Sequence, residues 1–278
     1  MVRRRPMPPP PAAQIIAGKV ESAGTEQYTD YGVNGFVSTE KDRLSTFAVD
    51  VDTASYSIAR SKLTSGSLPP FQSVRAEEFI NYFNYDYGGP AGAPFGVHIA
   101  AAPSPFRAGH HILRVGVQAK RIDRHARKPV HLVYLVDTSG SMHSRNKLGL
   151  VKRSLKLLTS QLNPSDTVAL CTYAGSTRIV LRPTGAANQD KIHRAIDNLS
   201  AGGGTAMSSG IDLAYNLASQ TLIDGHVNRV IVLSDGDANI GRTSHQAILR
   251  RIADYRSKGI TLSTVGFGRG NYKDTMME

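Results

Sequence analysis

The chain has 278 residues, 40% of them hydrophobic, which is enough for one large domain or for a medium domain with a smaller one. The formal net charge is +11, yet the densest basic stretch, residues 120–128, contains no aromatic side chain. We therefore expect a solvated basic linker there and no nucleic-acid partner, although attraction to an acidic or anionic surface stays open. The single cysteine, Cys171, excludes an internal disulfide. No apolar run approaches the roughly 18 residues of a membrane helix, so no transmembrane segment is expected.

Residues 1–44 are rich in proline, glycine and polar side chains and show no periodicity, which predicts a disordered or linker segment. The arginines at residues 3–5 have the charge of a signal-peptide start. Prolines at residues 8–11 stand where the apolar core of a signal peptide should be, so we predict no signal peptide.

Residues 45–119 predict a small α+β region with a limited core. Thr53 is expected to cap the first of its two helices, and the second helix should bury Phe79, Ile80 and Phe83. The predicted elements are a strand at 46–51, helices at 54–63 and 74–83, and strands at 96–101 and 111–119.

After the linker, assigned to residues 120–129, strands and helices alternate regularly through residues 130–278. Apolar residues recur at helical spacing between the strands, for example at Leu148, Val151, Leu155 and Leu158. This alternation predicts an α/β domain with a doubly wound, mostly parallel sheet and helices on both faces. The predicted strands cover residues 131–136, 167–172, 178–181 (a short edge strand), 228–233 and 261–267.

Three loops at the carboxyl edge of this sheet carry hydroxyl and carboxyl side chains, and ligands of such sheets bind at that edge. The first loop follows the strand at 131–136, the second contains three glycines ahead of a helix, and the third follows the strand at 228–233. The candidate metal ligands in these loops are Asp137, Ser139, Ser141, Thr205 and Asp235.

All five candidates are hard oxygen donors, which favour Mg²⁺, Mn²⁺ or Ca²⁺ over zinc or copper. Two carboxylates neutralise a divalent ion, whereas the hydroxyls fill coordination positions without adding charge. The ion would therefore keep an attraction for a carboxylate from outside. The pattern predicts metal-dependent binding of a protein partner that presents Asp or Glu.

The sequence DTSGS at residues 137–141, followed by Thr205 and Asp235, resembles the metal-ion-dependent adhesion site of von Willebrand factor type A domains. The resemblance implies a Rossmann-like fold, a protein-binding role without catalysis, and Mg²⁺ or Mn²⁺ as the bound ion. It also implies that Ser139, Ser141 and Thr205 ligate the metal directly or nearly so, with the two aspartates acting directly or through water.

A second resemblance covers STFAVDVDTASY at residues 45–56 and RAEEFINYF at residues 75–83, which are similar to the region ahead of the type A domain in the bacterial YfbK-like group. That group is typically envelope-associated, which is the only indication of a location. Type A domains normally continue with a further helix, strand and helix, so we expect residues 130–278 to be incomplete at the C-terminus.

Two other functions stay open. In the first, the chain is a structural scaffold with incidental metal, and another surface makes the contacts. In the second, Asp50 and Asp52 after an apolar stretch resemble the DxD of haloacid-dehalogenase-type phosphotransferases. That motif requires Thr or Val two places after its second aspartate, where this chain has Ala54.

Overall fold

A computed structural model of the protein describes residues 32, 35–46, 49, 51–90, 92–123, 126–236 and 242–268. The strands are β1 (Phe95–Pro103), β2 (His111–Ala119), β3 (Val130–Asp137), β4 (Thr167–Tyr173), β5 (Thr177–Gly185), β6 (Val227–Ser234) and β7 (Ile260–Gly266). The helices are α1 (Ala54–Thr64), α2 (Ala76–Asn81), α3 (Leu148–Ser160), α4 (Gln189–Asp197), α5 (Met207–Gln220) and α6 (Arg242–Ser257), with short 3₁₀ turns at Phe71–Ser73 and Gly140–His143. None of the described helices is long and apolar enough to cross a membrane.

Five strands form the main sheet, in the order β5-β4-β3-β6-β7. Strand β3 lies at its centre and pairs in parallel with both β4 and β6, and β6 pairs in parallel with β7. Strand β5 pairs antiparallel with β4 at the outer edge. The predicted α/β fold with a mostly parallel sheet is therefore confirmed, including the edge position of the strand predicted at 178–181.

The central strand explains why the sheet is covered on both faces. Leu132, Tyr134 and Val136 of β3 point into one hydrophobic cluster, which also contains residues of α3 and α4. Val133 and Leu135 point into a second cluster on the opposite face, which contains residues of α5 and α6. Because successive side chains of a strand alternate between faces, a continuous apolar run is what a strand buried on both sides requires.

Helix α3 shows where the predicted helical spacing succeeds and where it fails. Leu148, Val151 and Leu155 are buried against the sheet, as the spacing predicts. Leu158 was expected to continue the buried stripe but is 37% exposed, and Thr159 is fully buried in its place. Four residues cover slightly more than one turn of an α-helix. The position that faces the sheet therefore passes from Leu155 to Thr159.

The region ahead of the sheet matches its predicted elements less closely. Of the strand predicted at 46–51, residues 47, 48 and 50 lie outside the described part, and residues 46, 49 and 51 are in no strand. Helix α2 is shorter than the predicted 74–83, and Ile80 and Phe83 are 53% and 52% exposed rather than buried. Thr53 occupies the N-cap position of α1, but its side chain makes no capping hydrogen bond.

A polar contact and an aromatic cluster together hold α1 against α2: the ring of Tyr56 in α1 lies 5.5, 4.1 and 5.2 Å (between centroids) from the rings of Phe79, Tyr82 and Phe83. The carboxylate of Glu78 is buried, and its Oε2 accepts a hydrogen bond of 2.8 Å from the backbone N–H of Ser55 at the start of α1. Its Oε1 lies 3.2 Å from the guanidinium of Arg75. A buried carboxylate that is paired in this way is satisfied. Phe83 is half exposed but still packs its ring edge-on against Tyr56, and Ile80 is 53% exposed.

Strands β1 and β2 form a separate antiparallel hairpin, which confirms the two strands predicted in this region. Directly paired residues of such a hairpin share a face. One face consists of apolar side chains, of which Phe95, Ile99 and Leu113 are 63%, 69% and 63% exposed. The opposite face is covered at Gly116, where a Cβ would lie 2.5 Å from the ring of Tyr87.

The basic stretch ahead of β3 is anchored at its end. The guanidinium of Arg127 pairs with the carboxylate of Asp166, which also accepts hydrogen bonds from the backbone N–H groups of Val130 and Asn163. Burial raises the pKa of Asp166, but the hydrogen bonds from Arg127 and the two N–H groups outweigh it, so the pKa is lowered. Arg127 thus helps to position β3 and is not simply a solvated linker residue.

Candidate metal-binding site

Asp137 ends the central strand β3 and is fully buried. Its Oδ1 accepts a hydrogen bond of 2.8 Å from the backbone N–H of Ser139. Its Oδ2 accepts hydrogen bonds from the hydroxyls of Tyr173, at 3.1 Å, and Ser234, at 2.8 Å. Burial raises the pKa of Asp137, and the hydrogen bonds from Ser139 and Ser234 partly oppose that rise. The carboxylate is therefore held in one orientation by three donors from three strand ends.

The loop after β3 turns its serine side chains toward each other. The hydroxyl oxygens of Ser139 and Ser141 lie 3.0 Å apart, with Ser139 buried and Ser141 half-buried. Met142, the next residue, is fully buried in the hydrophobic cluster that contains β3, so it fixes the loop against the core. Two hydroxyls and one carboxylate thus come together over five residues, as the spacing predicts.

The triglycine loop lies against the loop after β3. The backbone N–H of Gly140 donates to the carbonyl of Gly203 at 3.0 Å, and that of Gly202 donates to the carbonyl of Thr138 at 2.8 Å. Gly203 has a φ of +84°, and a Cβ there would lie 3.2 Å from the backbone nitrogen of Gly175. Glycine is needed at this position for both reasons. These contacts place Thr205, which is half-buried, in the loop beside the two serines.

Asp235 follows β6 and is also fully buried. It lies close enough to Asp137 for its charge to raise the pKa of that residue further. Its Oδ2 lies 2.8 Å from the ammonium nitrogen of Lys147, whose side chain is 8% exposed. The structure thus brings Asp137, Ser139, Ser141 and Asp235 to one edge of the sheet, with the loop of Thr205 bonded to them. We refer to residues 137–141, 202–205 and 234–236 as the three site loops.

The donors at this edge fit a hard divalent ion. Among the described residues, no group of three or more His, Cys, Asp or Glu side chains is placed to hold a metal, so a zinc-type cluster is not formed by them. The site loops offer buried carboxylate oxygens and a pair of hydroxyls instead, which is the ligand chemistry of Mg²⁺ and Mn²⁺. The carboxylate of Asp235 is paired in this structure with the ammonium of Lys147.

Sequence reasoning missed three residues of the site: Tyr173, Ser234 and Lys147. Tyr173 and Ser234 are the last residues of β4 and β6, the two neighbours of β3. Polar residues at those ends could have been identified, because adjacent parallel strands finish at the same edge. Lys147 precedes α3 and lies far from Asp235 in the chain, and no local pattern indicates their contact.

Of the two residues of the alternative phosphotransferase site, Asp50 is outside the described residues, and Asp52 is exposed just ahead of α1. The carbonyl of Asp52 accepts a hydrogen bond of 3.4 Å from the side chain of Asn81. The described part of this segment gives no support to a paired-aspartate site.

Comparison with known proteins identifies related sequences over almost the whole chain. The family described as von Willebrand factor type A domain matches residues 131–278, and a family described as von Willebrand factor matches residues 22–114. The uncharacterized protein YfbK of Escherichia coli is 38% identical over 274 residues, which are 96% of this chain and 48% of the relative. The uncharacterized protein sll0103 of Synechocystis is 32% identical over 170 residues, 61% of this chain and 38% of the relative. This chain therefore spans about half the length of its E. coli relative, or less for other relatives.

Two of the solved structures with detectable similarity each cover about half of the chain. The conserved hypothetical protein BatB from Bacteroides thetaiotaomicron is 25% identical, with a TM-score of 0.41, over 49% of this chain and 66% of BatB. The manganese-loaded TRAP protein of Plasmodium vivax is 20% identical, with a TM-score of 0.44, over 51% of this chain and 59% of TRAP. At these scores the likeness adds nothing to the geometry described above.

Proposed function

The chain belongs to the von Willebrand factor type A domain family, and on that premise we propose that it binds one Mg²⁺ or Mn²⁺ ion at the three site loops. The ion then captures an Asp or Glu side chain of a partner protein. The observation that carries the proposal is the position of Asp137, a fully buried carboxylate fixed by three hydrogen bonds beside the paired hydroxyls of Ser139 and Ser141.

The chain's own residues prepare the site by orientation and by charge. Asp137 cannot rotate without losing hydrogen bonds in a buried place, so its carboxylate keeps one orientation. A bound divalent ion supplies a positive centre with positions open to an outside ligand. Among the described residues, the buried charges of the site are those of Asp137, Asp235 and Lys147, which sum to one negative charge. A site loaded with a divalent ion would then carry one positive charge, which attracts an acidic partner.

This assignment makes the chain a binding module and not an enzyme. In this proposal the role of the site is recognition of a partner and not chemical conversion of it. A nucleic-acid partner is disfavoured because Arg127, in the densest basic stretch, is paired with Asp166. An envelope location stays a prediction from the family resemblance.

A scaffold function is the second candidate, and one observation favours it. The hairpin of β1 and β2 exposes an apolar face, including Phe95 and Ile99, and such faces commonly mark contact surfaces. In that case the partner would be held by the hairpin, and metal at the site loops would not matter for binding.

A capture experiment separates the two candidates. The protein is immobilised and incubated with cell extract in Mg²⁺, in chelator, and in Mg²⁺ with an excess of a glutamate-rich peptide. Asp137→Ala is tested in parallel, with Asp190→Ala, on the exposed face of α4, as the matched control. We expect one set of proteins to be lost with chelator, with the peptide and with Asp137→Ala, but kept by Asp190→Ala. Capture that is unchanged in all conditions would support the scaffold instead.

A further inference from the structure

Lys147 is the cationic side chain that touches the proposed metal site. Its ammonium nitrogen lies 2.8 Å from Oδ2 of Asp235, and the two side chains are 8% and 0% exposed. The Coulombic attraction in such a place exceeds that of a surface pair because little water screens it, and removal of one partner leaves the other charge buried without compensation. Neither the family's adhesion-site pattern in the sequence nor the charge count of its ligands includes this residue.

The aliphatic part of the Lys147 side chain is closely packed as well. Gly268, directly beyond the end of β7 and Phe267, has a φ of +100°, and a Cβ there would lie 2.6 Å from Cε and 2.7 Å from Cγ of Lys147. The carbonyl of Lys147 accepts the backbone hydrogen bond of Val151 at 2.9 Å, in the first turn of α3. The side chain thus runs through a close-packed channel from α3 to Asp235.

We propose that Lys147 is a built-in cation that competes with the divalent ion for Asp235. In the metal-free protein its ammonium neutralises the buried carboxylate. When a divalent ion binds, the ammonium either loses its contact with Oδ2 of Asp235 or stays close to the positive charge of the ion. The first costs the free energy of the ion pair, and the second costs the free energy of repulsion. Lys147 therefore lowers the metal affinity of the site while it keeps the metal-free fold stable. This inference deepens the proposed function and rests on it.

Two opposite effects follow when the charge of Lys147 is removed. Metal affinity should rise, because repulsion between the ammonium and the divalent ion disappears. The metal-free protein should become less stable, because the carboxylate of Asp235 stays buried without its partner. A merely structural lysine would produce the second effect without the first, so the pair of effects identifies the competing role.

The test compares Lys147→Gln, which can still donate a hydrogen bond to Asp235, and Lys147→Met with the wild-type protein. Lys156→Met is the matched control, since it removes one positive charge from the same helix at an exposed ion pair with Asp197. Mg²⁺ and Mn²⁺ affinities are measured by isothermal titration, and Tm is measured with and without metal. We expect Lys147→Gln to bind metal at least about tenfold more tightly, roughly 1.4 kcal/mol. We also expect it to show a lower metal-free Tm and a larger metal-induced rise in Tm, with Lys156→Met unchanged in both.

The outcomes separate this inference from the proposed function. Metal binding by wild type and Lys147→Gln with equal affinity, or weaker binding by the variant, would overturn the inference and leave the proposed function standing. Binding by neither protein would overturn both. Failure of both Lys147 variants to fold, even with saturating metal, would make Lys147 a structural residue and end the proposal. Folding of the Lys147 variants only after metal is added would support the proposal.

Discussion

Gly210 in α5 offers a sharp test of how the fold holds Asp137 in place. A Cβ at Gly210 would lie 2.7 Å from Cβ and 2.9 Å from Cγ of Tyr173. The hydroxyl of that tyrosine donates one of the hydrogen bonds to Asp137. Gly210→Ala therefore pushes the ring away from α5, and any shift of the ring is passed on to the hydrogen bond.

The expected magnitude comes from three opposing contributions. Alanine in place of glycine inside a helix stabilises by about 1 kcal/mol. Overpacking a tight contact costs about 1–3 kcal/mol, and loss of the hydrogen bond between Tyr173 and Asp137 costs about 1.5–3 kcal/mol more. Steric cost and hydrogen-bond loss exceed the helix gain, so we expect Gly210→Ala to lower the free energy of unfolding by about 3 kcal/mol. For a domain of this size that lowers Tm by roughly 6–12 °C.

Gly149→Ala provides the matched control. Gly149 lies in the first turn of α3, and a Cβ there would meet no atom within 4 Å. Only the helix gain remains, so this variant should be neutral or stabilised by up to about 1 kcal/mol. Urea denaturation followed by circular dichroism measures both variants in metal-free buffer. If Gly210→Ala proved as stable as Gly149→Ala, the close packing of α5 on Tyr173 would be refuted.

Two further predictions concern the opposite end of the sheet. Burial lowers the pKa of His131 from its ordinary value of 6.5, so below about pH 6.5 the unfolded chain binds a proton there before the folded one does. Stability should therefore fall as the pH drops below that value, and His131→Gln should lose less stability than wild type between about pH 7.5 and about pH 5; equal losses would contradict this. Asp166→Ala should cost about 3 kcal/mol in urea denaturation, because Arg127 and two backbone N–H groups lose their buried acceptor. Asp212→Ala, at an exposed ion pair, should cost less than about 1 kcal/mol, and similar costs for the two would be evidence against the anchoring role.

Much of the sheet could be predicted because its strands are buried on both faces. The apolar run of β3 has one structural solution, a central strand with helices above and below. Helix spacing was sufficient for α3 up to Leu155. Leu158 was wrongly expected to be buried. That expectation rested on the repeat of leucines and not on the angle between successive residues around the helix axis.

The small region ahead of the sheet was predicted less well for a physical reason. An apolar residue such as Ile80 indicates a face that can be buried, but not whether anything covers it. Here the contact between α1 and α2 combines the polar side chain of Glu78 with the ring of Tyr56, which packs on Phe79, Tyr82 and Phe83. Arg75 stands three residues before Glu78, but Ser55 lies in the preceding helix, so no periodic pattern reveals the contact between Ser55 and Glu78.

The approach of Asp137 to Asp235 could be predicted because both residues follow strands, β3 and β6, that are neighbours in the sheet, whereas the loop of Thr205 lies between α4 and α5. The groups that orient them were harder to find. The hydroxyl of Tyr173, on the neighbouring strand β4, donates a hydrogen bond to Asp137, and Lys147 reaches Asp235 from its position just ahead of α3. Both contacts depend on the packing of the finished domain. Their effect on the site's charge is large, since Lys147 removes half of the negative charge that the two aspartates provide.

Isothermal titration of Mg²⁺ and Mn²⁺ into metal-stripped protein tests the central claim most directly. Asp137→Asn, which keeps the size of the side chain, is titrated beside wild type, and circular dichroism confirms that both are folded. Saturable binding of one ion per chain by wild type, lost in Asp137→Asn, is the predicted result. No binding by folded wild-type protein, or equal binding by the variant, would contradict the assignment of the three site loops as a metal site.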